Sequence, residues 1–239
     1  MAYALITGAS KRIGKCIALF LAENGWDIIL HYNTSRAEAF KLQKEIIGLG
    51  RQCKLYHQDF LHNEQNQDTL WELGAELLIN NASVFKKNNI YDMEEDDLLD
   101  NIKVDFIAPI KLSKKILQNR TPNQQINIIN LLDIIIFKLP TNFTYYYFSK
   151  MALANFTKLA AKLYAPVARV NGIALGHIIK ASFQSEESCN KNKKATPLGY
   201  NGSIEEICLT IDFILKTKSL TGQIISLDGG AHLANTDYP

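Results

Sequence analysis

A phenol and an amine four residues apart, Tyr146 and Lys150, lie in the run Asn142-Phe143-Thr144-Tyr145-Tyr146-Tyr147-Phe148-Ser149-Lys150. This run opens a long apolar-periodic stretch, and in a helix of about 3.6 residues per turn such a pair stacks on one face. An ammonium close to a phenol favours the phenolate and lowers a pKa otherwise near ~10, towards a range useful for proton transfer. Tyrosine and lysine at this spacing also merely decorate helix surfaces, so the pair needs companions. Asp133 is one. It closes the strand-like run Gln125-Ile126-Asn127-Ile128-Ile129-Asn130-Leu131-Leu132-Asp133. A carboxyl there can hydrogen-bond Tyr146 and, when protonated in a desolvated crevice, donate towards a ring nitrogen; its plainer use is as a cap after a strand.

These groups must be positioned by the elements around them. Short β-rich runs are predicted at Tyr3–Thr7, Asp27–Tyr32, Gln52–His57, Leu77–Asn80, Gln125–Leu132, Arg169–Ala174 and Gln223–Asp228. Helical patterns fall at Arg12–Asn24, Ser35–Gly48, Asn63–Leu73, Met93–Gln118, Thr144–Tyr164 and Ser203–Lys216. Such alternation predicts an α/β fold, a parallel sheet with helices on both faces, because each return crossover needs a helix. No repeat or linker divides the chain, so residues 1–239 are expected to form a single domain.

The first strand ends in Thr7-Gly8-Ala9-Ser10-Lys11-Arg12-Ile13-Gly14, and then a helix begins. A glycine turn there lets backbone amides approach a pyrophosphate, and the helix N-terminus adds partial positive charge. Gly8 would make the turn and Gly14 the close helix–sheet contact, which together predict dinucleotide binding. The second strand ends in Asn33-Thr34-Ser35-Arg36, and no acid lies between Ile28 and Ala37. A carboxylate there would bind a ribose 2′-hydroxyl and repel a 2′-phosphate; hydroxyls and an arginine suit the phosphate, so NADP(H) is favoured over NAD. The plainer reading has Thr34 or Ser35 capping a helix. His31 reads as a satisfied histidine at a strand end. Asp59 can accept from an adenine amino group or cap the next helix. Asn80-Asn81-Ala82-Ser83-Val84-Phe85 suits the carboxyl edge of the sheet, where open α/β sheets bind ligands.

Composition excludes several classes. With 47% hydrophobic residues, 21% charged residues and a net charge of +2, the chain is ordinary globular protein with nothing that suits a nucleic-acid partner. The basic run Lys191 to Lys194 lacks interleaved aromatics and reads as a solvated loop. Four scattered cysteines predict neither a disulfide framework nor a metal site. The longest apolar run, Ile126 to Phe137, is too short to span a bilayer. A soluble, cytoplasmic protein with no membrane partner is expected.

The motifs together resemble the short-chain dehydrogenase/reductase family across essentially the whole chain. They are Thr7-Gly8…Gly14, Asp59, Asn80-Asn81-Ala82, Tyr146…Lys150, Arg169-Val170-Asn171-Gly172-Ile173-Ala174-Leu175-Gly176 and Thr221-Gly222-Gln223…Asp228-Gly229-Gly230. The resemblance implies a Rossmann-type, doubly wound sheet of seven parallel strands, a nicotinamide cofactor, hydride transfer, and a homotetramer or homodimer. Within the family the chain most resembles the pteridine reductases and dihydromonapterin reductases. Arg12 stands where most members have the middle glycine of the nucleotide turn, and Asp133 replaces the usual serine 13 positions before Tyr146. Asn81-Ala82-Ser83-Val84-Phe85 matches a segment whose aromatic ring, with the nicotinamide, sandwiches a flat pterin.

The resemblance implies that the cofactor meets Gly8, Ser10, Arg12, Ile13 and Gly14, then Asn33, Thr34 and Ser35, then Asp59 and Phe60. It further implies cofactor contacts at Asn81, Ala82, Ser83, Tyr146, Lys150 and Gly176. The substrate would meet Arg12, Ser83, Phe85, Asp133 and Tyr146, with Tyr146, Lys150 and Asp133 catalytic and no metal. Asp105 sits where the family usually has an asparagine that helps hold a proton-relay water, and Leu175 replaces a proline. Residues 177–197 are polar and weakly periodic, as expected of a lid over substrate. The expected activity is NADPH-dependent reduction of a dihydromonapterin, dihydrobiopterin or dihydrofolate. The alternatives are a carbonyl or 3-oxoacyl reductase and, from a different class, a non-catalytic NADP(H)-binding sensor.

Overall fold

The computed structural model describes residues 2–62, 71, 73–179 and 196–234. Seven parallel strands form one sheet in the order β3-β2-β1-β4-β5-β6-β7, with β1 at Tyr3–Ile6, β2 at Asp27–Tyr32, β3 at Cys53–His57, β4 at Leu77–Asn80, β5 at Ile126–Asp133, β6 at Ala168–Leu175 and β7 at Ile224–Leu227. Alternating side chains explain why β1 is buried throughout. Ala4 and Ile6 face one core with Ile17, Leu21, Leu42 and Ile211, while Tyr3 and Leu5 face another with Leu112, Ile116 and Ala160. Both faces are covered, hence the unbroken apolar strands of a parallel sheet.

The chain adds β2 and β3 on one side of β1, then returns to place β4 on its other side. That reversal opens a crevice at the carboxyl ends of β1 and β4, where Thr7-Gly8 and Asn80-Asn81 emerge. Four helices agree with the expected patterns within two residues at either end: α1 (Arg12–Glu23), α2 (Arg36–Gly48), α5 (Thr144–Leu163) and α6 (Ile204–Lys216); α4 (Ala108–Gln118) matches only the C-terminal part of the longest pattern. Most of the helix expected at Asn63–Leu73 and most of the expected lid, with the run Lys191 to Lys194, lie outside the described residues.

One element departs from expectation. The continuous helix predicted over Met93–Gln118 is instead α3 (Glu95–Ile102), a π turn (Lys103–Ile107) and α4. Pro109 stands in the first turn of α4 and has no N–H to offer the carbonyl four residues back, that of Asp105, so regular α-helical bonding fails there. The side chain of Asp105 is fully buried in that turn.

A buried polar ladder registers α5 on the sheet. Asn80 Nδ2 donates to Asn130 Oδ1 at 2.7 Å, and Asn130 Nδ2 donates to Thr157 Oγ1 at 2.8 Å. The N-terminus of α5 has no side-chain cap of its own. Asn88 Oδ1 accepts from the Tyr145 amide at 3.2 Å, supplying from a distant loop what the local sequence lacks. Among the described residues no helix is long and apolar enough to cross a membrane.

Candidate active site

The crevice at the strand reversal is a cleft of about 570 Å³. Every residue that the sequence assigned to cofactor or substrate lines it, from Gly8 through Asn33 and Asp59 to Asn81, Asp133, Tyr146 and Gly176. Its floor is the glycine turn. Gly8 has φ +59°, and a Cβ there would stand 3.1 Å from Ala82 Cα. A Cβ on Gly14 would be 2.4 Å from Gly8 O and 2.7 Å from Asn81 Nδ2. Gly14 is thus required by the turn and the Asn81 amide packed on it, rather than by a strand. This cradle at a helix N-terminus fits a dinucleotide pyrophosphate.

The turn is clamped from both sides. Asn81 Nδ2 donates to Thr7 O at 2.8 Å and Gly8 O at 3.1 Å, and Thr7 Oγ1 accepts from the amides of Asn81 (2.8 Å) and Ala82 (2.9 Å). His31 Nδ1 accepts from the Gly8 amide at 2.9 Å, and its Nε2 lies 2.9 Å from Gln58 O. These two partners define a neutral imidazole with the proton on Nε2. Phe60 stacks on it at 4.3 Å and 10°. Burial pushes the His31 pKa down to about 4, against the raising effect of the Gln58 carbonyl. His31 is the satisfied strand-end histidine expected, but it is also part of the nucleotide turn. Thr7 and His31 were missed as site residues, since only the sheet brings their partners near.

Arg12 occupies φ +52°, the left-handed region that the middle glycine of such a turn adopts without strain. In a non-glycine residue this conformation costs about 1–2 kcal/mol. Ser35 stands at the N-cap of α2 yet its side chain makes no capping bond, and it lines the cleft with Asn33 and Thr34. Arg36, expected to face a phosphate, lies over the Phe40 ring at 5.5 Å. Asp59 serves its own turn: Oδ1 accepts from the Leu61 amide at 2.9 Å, and Oδ2 pairs with His62 Nδ1 at 3.0 Å.

At the other end of the cleft, β5 and α5 bring Asp133, Tyr146 and Lys150 together. Tyr146 Oη donates to Asp133 Oδ2 at 3.3 Å, while Asp133 Oδ1 accepts from the Ile135 amide at 2.8 Å. Asp133 is therefore both the expected partner of Tyr146 and the cap of the short 3-10 turn after β5. Lys150 Nζ lies 5.4 Å from the Tyr146 ring centroid, donates to Leu131 O at 3.0 Å, and pairs with Asp105 Oδ1 at 3.1 Å. Asp105 Oδ1 also accepts from Ser83 Oγ, and Oδ2 from the Val84 amide at 3.0 Å. The sequence marked Asp105 as unusual, but nothing in it pointed to Lys150 as its partner.

Phe85 forms the aromatic wall. Its ring stacks on Phe143 at 4.6 Å and 2° and meets Tyr146 edge-on at 4.8 Å and 72°. At 37% exposure it stands at the cleft rather than in the core. Phe143, which sequence reasoning missed, holds φ +61° just before α5.

A family profile described as enoyl-(acyl carrier protein) reductase matches residues 8–232. The chain belongs to the short-chain dehydrogenase/reductase family. As a member it is an NAD(P)-dependent oxidoreductase with a Rossmann-like sheet. The chain is 29% identical over 244 residues to the 3-oxoacyl-[acyl-carrier-protein] reductase FabG of Staphylococcus epidermidis, covering 96% of this chain and 98% of that one. Among solved structures it is similar to FolM alternative dihydrofolate reductase 1 from Brucella suis, a complex with NADP, with TM-score 0.92, 29% identity, and 100% and 97% of the two chains covered. Acetoin dehydrogenase YohF from Salmonella typhimurium is similar at TM-score 0.84 and 25% identity, covering 100% and 99%. Relatives with such different names share this scaffold, so substrate choice in the short-chain dehydrogenase/reductase family rests on the site residues.

Proposed function

We propose that this chain is an NADPH-dependent reductase of reduced pterins, of the dihydromonapterin, dihydrobiopterin or dihydrofolate class. The observation that carries the reading is Asp133 Oδ2 at 3.3 Å from Tyr146 Oη beside the Phe85 ring. A carbonyl reductase needs a neutral donor beside a developing oxyanion, where a carboxylate is unfavourable. A carboxyl beside a phenol and a flat aromatic wall suits a planar, nitrogen-rich ring. The likeness to an alternative dihydrofolate reductase supports the same reading.

When bound, the nicotinamide cofactor supplies the hydride. The Gly8–Gly14 turn and the N-terminus of α1 would receive its pyrophosphate, and Asn33, Thr34 and Ser35 would receive the 2′-phosphate of NADPH. Tyr146 gives the proton, Asp133 orients the phenol and assists protonation, and Lys150 supplies positive charge beneath it. Phe85 and Arg12 position the heterocycle. We read the chain as one domain over residues 1–239, acting as a homodimer or homotetramer in the cytoplasm.

The test is spectrophotometric. Purified protein and its Tyr146→Phe variant are given NADPH with a panel of dihydropterins, dihydrofolate and acetoacetyl thioesters. Pterin turnover that falls by about 10²-fold or more in the variant is expected, the ordinary worth of a positioned proton donor. Turnover of the thioester alone selects the 3-oxoacyl reductase reading, which the relationship to FabG favours. Cofactor binding without turnover of any substrate selects the non-catalytic sensor.

A further inference from the structure

Lys150 and Asp105 form an ion pair that is 3% and 0% exposed. The same carboxylate accepts from Ser83 Oγ and from the Val84 amide, and Asn101 Nδ2 donates to Val84 O at 2.7 Å. The lysine under the phenol is thus matched by an acid from the π turn, within a network reaching the segment that carries Phe85. A lone ammonium in this place would draw Tyr146 towards the phenolate. A phenolate cannot donate a proton, and reduction requires donation.

We propose that Asp105 is a positioning residue that holds Lys150 as an ion pair and so keeps Tyr146 protonated, extending to higher pH the range over which the phenol can donate its proton in reduction. Facing the phenol are Asp133 from the end of β5 and Lys150 from α5, with Asp105 from the π turn pairing Lys150. Ser83, Val84 and Phe85 add no charge from their loop, and Arg12 and His177 also line the cleft. Asparagine keeps the shape at position 105 and takes the carboxylate away from Lys150. The inference rests on Tyr146 as proton donor and is independent of whether the substrate is a pterin.

Its test therefore begins without substrate. The ionisation of Tyr146 is read from near-ultraviolet phenolate absorbance, as the difference between the protein and its Tyr146→Phe variant, and repeated in an Asp105→Asn background. Because Asp133, Arg12 and His177 are common to both backgrounds, their titrations cancel in the comparison. The expected result is a midpoint about one unit lower in Asp105→Asn, the size of shift a nearby charge produces. The alkaline limb of the pH–rate profile for reduction should move down with it, for whichever substrate is turned over. Asp105→Ser, neutral and smaller, should reproduce the shift if the asparagine amide disturbs the turn. Ser83→Ala removes a hydrogen bond to the same carboxylate without changing charge, and should leave the midpoint in place. An unchanged or raised midpoint in both neutral variants overturns the proposal, as does an equal shift in Ser83→Ala. Absence of pterin turnover in the unmutated protein, with the midpoint shift intact, would count against the substrate reading alone.

Discussion

Asp133 carries two duties at once, as the cap that accepts from the Ile135 amide and as the acceptor for Tyr146. Its choice over a hydroxyl is where substrate discrimination should reside. Asp133→Ser keeps a small polar cap but removes the acid. We expect dihydropterin turnover to fall by about 10²-fold or more, while acetoacetyl thioester turnover is retained or gained. Parallel loss on both substrates would assign Asp133 to shaping the turn after β5. Phe143 makes a related point. A bulky residue at φ +61° is strained, and the strain places its ring flat against Phe85. The periodic pattern beginning at Thr144 indicated the helix but gave no sign of that conformation.

Among the elements, the turn between β1 and α1 shows what a short motif can and cannot say. Gly8 and Gly14 were legible because the chain must approach itself closely there, which only a residue without Cβ permits. Their partners were not. Gly14→Ala would push a methyl to 2.4 Å from Gly8 O. The expected cost is about 1–3 kcal/mol of stability, as for other overpacked sites. NADPH affinity, measured by fluorescence titration, should weaken by at least about tenfold because the cradle is forced open. An alanine variant binding NADPH as the parent does would remove the turn from the cofactor site. Other motif residues prove architectural. Arg169 donates to the carbonyls of Ile214, Thr217, Leu220 and Leu215 and so closes the C-terminal end of α6. Gly229, at φ +61°, leaves no room for a Cβ against Tyr200 O.

At the scale of the whole molecule, folding holds His31 neutral, and stability must register this. In the unfolded chain its pKa is near 6.5, and in the folded protein burial lowers it to about 4. Between these values the unfolded state binds more protons, so stability is full above about pH 6.5 and declines as pH falls towards about 4. From about pH 7 to about pH 5 this one group should remove on the order of 2 kcal/mol. Denaturant midpoints at the two pH values, compared with those of His31→Gln, isolate the contribution. The variant should lose less stability over that interval, and an identical loss in both proteins would mean that other groups govern the acid limb.

The sequence by itself determined the order and kind of the elements, the parallel sheet, the nucleotide turn and the Tyr146–Lys150 face. Each arises from hydrophobic period, glycine geometry or helical spacing, which act over a few residues. Only the tertiary structure decided that Asp105 meets Lys150, that His31 holds the Gly8 amide, that Arg36 turns to Phe40, and that the long helix breaks into a π turn before Pro109. Those outcomes depend on which ends of which strands the fold brings to one edge, and on whether a distant group satisfies what the local chain leaves open. Local pattern carries no record of either.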